Sequence, residues 1–193
     1  KLFKGLEIQK SSYFKEQGKY PVIFITFKDV KYRTWEDVFA KLRKIFADEA
    51  YRHVELRESD KCSAVDKQYF EKMLSLEMNL VDLADSFVVL SRMLHAHHGV
   101  APIIIVDEYD IPIQQGYVND YYDEAVIFIR NLFSGGFKDN SHLSFGFMTG
   151  ILRVAQESIF SGLNNIRVNS VLEDSYSEYF GFTAEEVKKM CAY

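Results

Sequence analysis

The stretch that decides the fold is Ile103-Ile-Ile-Val-Asp107-Glu108, a β-branched apolar run that ends in two carboxylates. Its apolarity is continuous from Ala101 rather than alternating, which is typical of a parallel strand covered on both faces. The chain therefore predicts an α/β fold of three layers, a mostly parallel sheet with helices on both faces. Such sheets bind ligands at the carboxyl ends of their strands, where Asp107 and Glu108 lie.

Working outward from this stretch, apolar and β-branched runs predict three more strands, Tyr20–Phe27, Leu143–Thr149 and Ile166–Val171. Apolar residues at three- and four-residue spacings predict helices between and after them. These predicted helices are Trp35–Ala50, Val65–Met78, Leu80–His98, Tyr117–Phe133, Ile151–Ser158 and Thr183–Met190. Glycine at position 99 and a Gly135-Gly136 pair are expected to end the third and fourth of them.

The composition and charge of the chain make some classes of function less plausible. With 193 residues, 48% of them hydrophobic and 26% charged, the chain is expected to form one globular domain over 1–193. The formal charge of -5 gives no broad positive field, which disfavours nucleic-acid binding. Two cysteines suit a reducing cytosol, and no apolar run approaches the roughly 18 residues that span a bilayer. We expect a soluble, cytoplasmic protein that does not bind membranes.

The acid pair suits phosphoryl-transfer chemistry. In P-loop NTPases an acid at a strand end holds the water shell of Mg²⁺, and a neighbouring Glu orients the attacking water. Asp107 and Glu108 fit these two roles. The alternative is purely structural, because strands often end in acids that cap the next helix.

The predicted third strand adds two candidates. NTPases of the class with a strand between the phosphate loop and the acid strand place a polar sensor of the γ-phosphate at the end of that strand. Thr149 fits this position, and Arg153 is expected on the first turn of the following helix, where a guanidinium can bind phosphate. Arg153 is equally well explained as a surface arginine. Asp110 is either a partner of the acid pair or a cap before Pro112.

Five blocks then carry a resemblance to a known family, and they occur in the family's order. They are Asp107-Glu-Tyr-Asp-Ile-Pro-Ile113, Phe137-Lys-Asp-Asn140, Gly146-Phe-Met-Thr-Gly-Ile-Leu-Arg-Val154, Ser158-Ile-Phe-Ser-Gly-Leu-Asn-Asn165 and Tyr179-Phe-Gly-Phe-Thr-Ala-Glu-Glu-Val187. Together they resemble the bacterial AAA-ATPase-like domain over nearly the whole chain. The resemblance implies a P-loop NTPase core that uses ATP and Mg²⁺, with Asp107 and Glu108 as Walker B acids and Thr149 and Arg153 near the γ-phosphate. It also implies a PD-(D/E)XK nuclease-like domain further along the parent protein.

The sequence departs from the family at the phosphate loop. Its only Gly-Lys pair is Gly18-Lys19, where Tyr13 replaces the required first glycine and Tyr20 replaces the Ser or Thr that meets Mg²⁺. We therefore expect a fragment that lacks Walker A and its strand, and that binds ATP weakly and does not hydrolyse it by itself. Removing that strand is expected to leave two open edges, so that the fourth strand pairs with the third or is displaced, or two chains complement each other.

Three functions remain open on the sequence. The first is an ATPase in the full-length parent. The second is an interaction module in which bound nucleotide holds a conformation without significant turnover. The third is a Mg²⁺-dependent carboxylate enzyme built on Asp107, Glu108 and Asp110.

Overall fold

Three parallel strands, paired in the order β1-β2-β3, form the sheet of the computed structural model. The structure describes residues 3–151, 166–170, 172–173, 176 and 181–192. Its contacts divide the chain into two units, Lys1–Leu163 and Asn164–Tyr193, which we describe separately. The strands, all in the first unit, are β1 Val22–Thr26, β2 Ile103–Asp107 and β3 Phe145–Met148. Three predicted strands and the parallel α/β fold are thus confirmed.

Helices join these strands. The first unit contains α1 Trp35–Arg52, α2 Ala64–Leu74, α3 Leu80–Ala84, α4 Ser86–His98, α5 Ile111–Val118 and α6 Tyr122–Phe137. It also contains the short 3-10 segments Glu7–Lys10, Ser12–Glu16 and Val54–Glu58. Among the described residues, none of the helices has the length and apolarity needed to cross a membrane.

Local capping explains where several helices begin and end. The Thr34 hydroxyl accepts a hydrogen bond from the Asp37 amide and so starts α1. Gly99 ends α4 with a φ of 72°, in the left-handed region that glycine enters without strain. In the second unit, Thr183 and Glu186 form both bonds of a capping box at the start of α7, Ala184–Cys191.

The core lies between one face of the sheet and the helices. On that face Ile23 and Ile25 of β1 stand beside Ile104 and Val106 of β2, and all four are at most 1% exposed. The helices α1 and α4 contact β1. Phe87 of α4 stacks edge-on against Phe46 and is tilted against Phe137, which ties three helices together.

The other face of the sheet is much more open. Phe24, Phe145 and Phe147 lie on it and are 41%, 60% and 48% exposed. The cause is topological: when strands follow one another in chain order, right-handed connections lie on the same side of the sheet. Within the described ranges, helices cover one face of the sheet, so the third layer stays a prediction.

The outer edge of β1 is blocked by side chains from α1 and the residue that follows it. The Phe24 amide donates to Oε1 of Glu49 at 2.8 Å, and Nε2 of His53 lies 3.2 Å from the Val22 carbonyl oxygen. Arg52 donates to the other Glu49 oxygen at 2.7 Å. Among the described residues no strand lies beside β1 on that side, and the buried Glu49 carboxylate satisfies the Phe24 edge amide instead.

Several predicted boundaries were wrong. The helix predicted over Leu80–His98 is broken at Asp85 into α3 and α4, and α5 was not predicted at all. The fourth predicted helix begins only at Tyr122 and continues through Gly135-Gly136 to Phe137. α6 continues through both glycines, and packing rather than a helix end requires glycine at position 136, where a Cβ would lie 2.9 Å from the Phe87 Cβ.

The fourth strand is also corrected. Residues 166–170 are not in a strand, and Val171 lies outside the described residues. Of the helix predicted over Ile151–Ser158, only Ile151 is described, and it is in a bend. The expectation of one partial domain over 1–193 stays a prediction.

An ion pair between α2 and α4 gives the first unit a testable pH dependence. Arg92 Nε lies 3.1 Å from both oxygens of Asp66, whose side chain is 9% exposed. This contact with Arg92, aided by Ser63 and opposed by burial, lowers the pKa of Asp66. The lowered pKa stabilises the fold above the ordinary pKa of Asp, and that contribution is lost as the pH falls through the folded-state value.

We therefore predict that Asp66→Asn lowers the free energy of unfolding by about 1–2 kcal/mol at pH 7 and that the difference shrinks below about pH 4. Urea titrations of both proteins across this pH range measure it. The exposed Asp60→Asn serves as control and should change little at any pH. If Asp66→Asn lowered the free energy of unfolding equally at pH 7 and at low pH, the lowered pKa of Asp66 would not be the cause of the difference.

Candidate active site at the carboxyl edge of the sheet

Asp107 is the last residue of the central strand, and its carboxylate is held from both sides. Thr149 Oγ1 donates to Oδ1 at 2.5 Å, and Thr26 Oγ1 donates to Oδ2 at 3.3 Å. The two hydroxyls come from the ends of the two flanking strands, since Thr26 is opposite Asp107 and Thr149 follows β3. The carboxylate is therefore fixed in position at the edge of the sheet while it stays partly exposed.

Thr149 is held by its backbone as well as by its hydroxyl. Its amide donates to the Val106 carbonyl at 2.8 Å, and its own carbonyl accepts from the Tyr109 amide at 3.1 Å. These bonds carry the β2–β3 pairing past the last residue of β3. The structure thus brings two predicted site residues, Asp107 and Thr149, into direct contact.

Thr26 was missed by the sequence reasoning. Like Asp107 and Thr149, Thr26 is the polar residue that ends an apolar run, and it lies opposite Asp107 in the sheet. The carboxyl ends of parallel strands meet at one edge of the sheet. Polar residues at every strand end were therefore the signal that could have found it.

Glu108 follows Asp107 in an unusual backbone conformation. Its φ is 53°, in the left-handed region that residues other than glycine enter at a cost. Its carbonyl accepts from the Ile111 amide at 3.2 Å, which turns the chain sharply from β2 into α5. Glu108, the next residue after Asp107, is half-buried.

Asp110, by contrast, is completely buried. It occupies the N-cap position of α5, yet its side chain makes no capping bond to that helix. Its Oδ2 instead accepts from the Ile151 amide at 3.1 Å and from Gln114 Nε2 at 2.5 Å. The carboxylate thus faces the chain that leaves β3, and its burial makes it a poor ligand for a solvated metal ion.

The described residues suit one kind of metal site and not another. Among them, no group of three or more His, Cys, Asp or Glu side chains is arranged to hold a metal ion. A single partly exposed carboxylate fits Mg²⁺ that keeps most of its waters and binds chiefly through a substrate phosphate. It does not fit a metal held by three protein carboxylates, so the third function weighed from the sequence gains no support from these residues.

The sequence analysis also singled out Arg153 and the Gly18-Lys19 pair. Arg153 lies outside the described residues. Gly18-Lys19 precedes β1 and so lies toward the amino ends of the strands, opposite the edge that carries Asp107, and Lys19 pairs with Glu16 at 3.2 Å. A phosphate loop follows the carboxyl end of a strand, which Gly18-Lys19 does not.

Comparison with known proteins supplies a family. A family model with the description "Predicted AAA-ATPase", named AAA-ATPase_like, matches residues 1–160. A similar curated protein is the "Uncharacterized protein in vnfD 5'region" of Azotobacter chroococcum mcd 1, which is 34% identical over 107 residues. These residues are 55% of the chain and 20% of that protein, so the chain covers only a small part of this relative. No solved structure matches.

The close approach at Gly150 gives a prediction for the site. A Cβ on Gly150 would lie 2.7 Å from Tyr109 Cε1 and 2.8 Å from Asp110 Oδ1. Gly150→Ala should therefore lower the free energy of unfolding by about 1–3 kcal/mol, as overpacking does. Gly135→Ala is the matched control, because its Cβ would lie 3.1 Å from a Val88 methyl and 3.9 Å from the Ala84 carbonyl, both longer than the approaches at Gly150, and alanine favours a helix. Urea unfolding midpoints measure the stability of both variants. An unchanged midpoint in Gly150→Ala would contradict the close packing of Gly150 against Tyr109 and Asp110.

Proposed function

The chain belongs to the AAA-ATPase-like family, and from this we propose that it forms the part of an ATPase that holds Mg²⁺ and positions the attacking water at the γ-phosphate of ATP. One observation carries the proposal. The Asp107 carboxylate lies at the end of the central strand of a parallel sheet, and Thr149 Oγ1 contacts it at 2.5 Å. Ligands of open α/β sheets bind at this edge.

Each candidate residue has a distinct task in this proposal. Asp107 would accept hydrogen bonds from the water shell of Mg²⁺, which would supply positive charge at the phosphates of the bound nucleotide. Glu108 orients the attacking water and takes its proton. The Thr149 hydroxyl, whose proton is donated to Asp107, accepts a hydrogen bond from the attacking water beside the γ-phosphate, and Arg153 binds phosphate charge.

A held carboxylate suits this task for a physical reason. Stabilisation of charge that develops during phosphoryl transfer is strongest when the stabilising groups need not reorganise. Thr26 and Thr149 fix both oxygens of Asp107 before any ligand arrives. The cost of ordering Asp107 is thus already met by folding.

The amide cradle and lysine of a phosphate loop are not encoded in these 193 residues. We propose that residues outside them supply this loop in the parent protein, so that the chain alone binds ATP weakly. A nuclease-like domain elsewhere in the parent and pairing between two chains are further proposals that rest on the family resemblance.

The test is ATP hydrolysis by the protein expressed from its whole reading frame, with and without Glu108→Gln. We expect this substitution to lower kcat by about 100-fold or more, because the water loses its base, while the Kd for Mg²⁺·ATP changes little. Glu124→Gln is the matched control, since Glu124 is an exposed carboxylate in the first turn of α6.

The outcomes separate the functions. Hydrolysis that survives Glu108→Gln unchanged removes Glu108 from the proposed role. Tight ATP binding without hydrolysis in the unsubstituted protein favours the interaction module over the ATPase.

A further inference from the structure

We infer that Asp110 is a positioning residue, which holds the chain leaving β3 against the loop that carries Asp107 and Glu108. This inference rests on the proposed function, since it assigns Asp110 a role in placing the site. It starts from a buried carboxylate that has no part in the proposed chemistry: Asp110 is 0% exposed, whereas Asp107 and Glu108 are partly exposed.

Three successive bonds join the two segments. Thr149 Oγ1 donates to Asp107, the Tyr109 amide donates to the Thr149 carbonyl, and the Ile151 amide donates to Asp110 Oδ2 at 3.1 Å. The third bond is the only one of these that uses a side chain to reach a backbone amide. It extends the pairing of the two segments two residues beyond Thr149.

Ile151 depends on this bond because its side chain does not anchor it. That side chain is 83% exposed and so contributes little buried apolar area. Gly150, next to it, has no side chain and packs closely beneath Tyr109 and Asp110. The amide bond to Asp110 is therefore the main described contact that fixes where the chain leaves β3.

The simpler roles for Asp110 fit less well. An N-cap aspartate accepts from an amide in the first turn of its own helix, but the side chain of Asp110 makes no such bond to α5. Its Oδ2 accepts from Gln114 Nε2 at 2.5 Å, so a side chain of α5 holds the same oxygen that receives the Ile151 amide. A carboxylate that accepts two hydrogen bonds gives a stronger tie than a neutral acceptor.

The consequence concerns Thr149 and Glu108. Thr149 lies two residues before Ile151 on one segment, and Glu108 lies two residues before Asp110 on the other. If the segments are joined through Asp110, the distance between the hydroxyl of Thr149 and the carboxylate of Glu108 is set before nucleotide binds. Small displacements of such groups cost far more in turnover than in binding.

The experiment compares Asp110→Leu with Asp110→Asn in the protein expressed from its whole reading frame. Leucine has a similar size but accepts no hydrogen bond, so kcat should fall about tenfold or more with the KM for Mg²⁺·ATP within about twofold. Asparagine keeps an oxygen for the Ile151 amide, and kcat should stay within about threefold of the unsubstituted protein. Asp123→Asn, an exposed aspartate on α6, is the control.

Two results would overturn the inference. One is an unchanged kcat in Asp110→Leu. The other is a kcat in Asp110→Asn that is as low as in Asp110→Leu, since the negative charge of Asp110 rather than its hydrogen bond to the Ile151 amide would then be required.

A second measurement separates this inference from the proposed function and does not need a destabilised variant. Hydrogen exchange in the unsubstituted 193-residue chain should show the Ile151 amide protected about as strongly as the Tyr109 amide, because both belong to one bonded unit. Free exchange at Ile151 would overturn the inference whether or not the protein hydrolyses ATP. Protection at Ile151 without any hydrolysis would count against the proposed function alone.

Discussion

The structure depends on the position of β2 between two parallel neighbours. Its register with β1 and with β3 brings the three strands to a common carboxyl edge. Because the strands are also in chain order, right-handed connections put the helices on one side. The same constraint therefore produces the core against Ile104 and Val106 and the open face that carries Phe145 and Phe147.

The site follows from the same register. Pairing of Thr26 with Asp107 and the bonds that continue β3 through Thr149 place two hydroxyls around one carboxylate. No loop has to fold over Asp107 to orient it. Rigid strands position groups more tightly than mobile loops, which suits the proposed site, where a hydrated cation is held without a cage of protein ligands.

Much of this fold could be predicted from the sequence, because apolar periodicity is a strong local signal. The runs that became β1, β2 and β3 and the start of α1 at Trp35 are examples. Asp107 and Thr149 were both identified as candidates because each is a polar residue at the end of a predicted strand. Thr26 was missed because a lone threonine at a strand end is common and carries no motif.

The wrong predictions have physical causes that lie outside local sequence. Gly135-Gly136 looks like a helix end, but α6 continues through it, and Gly136 is instead required because Phe87 packs where its side chain would be. The break at Asp85 leaves the 3.6-residue periodicity intact, so the sequence pattern did not reveal it. The role inferred for Asp110 depends on the Ile151 amide 41 residues away, a contact that periodicity cannot show.

The Glu49 carboxylate has a consequence for how this sheet can associate. It occupies the Phe24 amide that an added strand would need, and His53 contacts the adjacent Val22 carbonyl. An incoming strand at this edge must displace a buried charge that is also paired with Arg52. Glu49 therefore acts as a gatekeeper that closes the β1 edge of the sheet to an added strand.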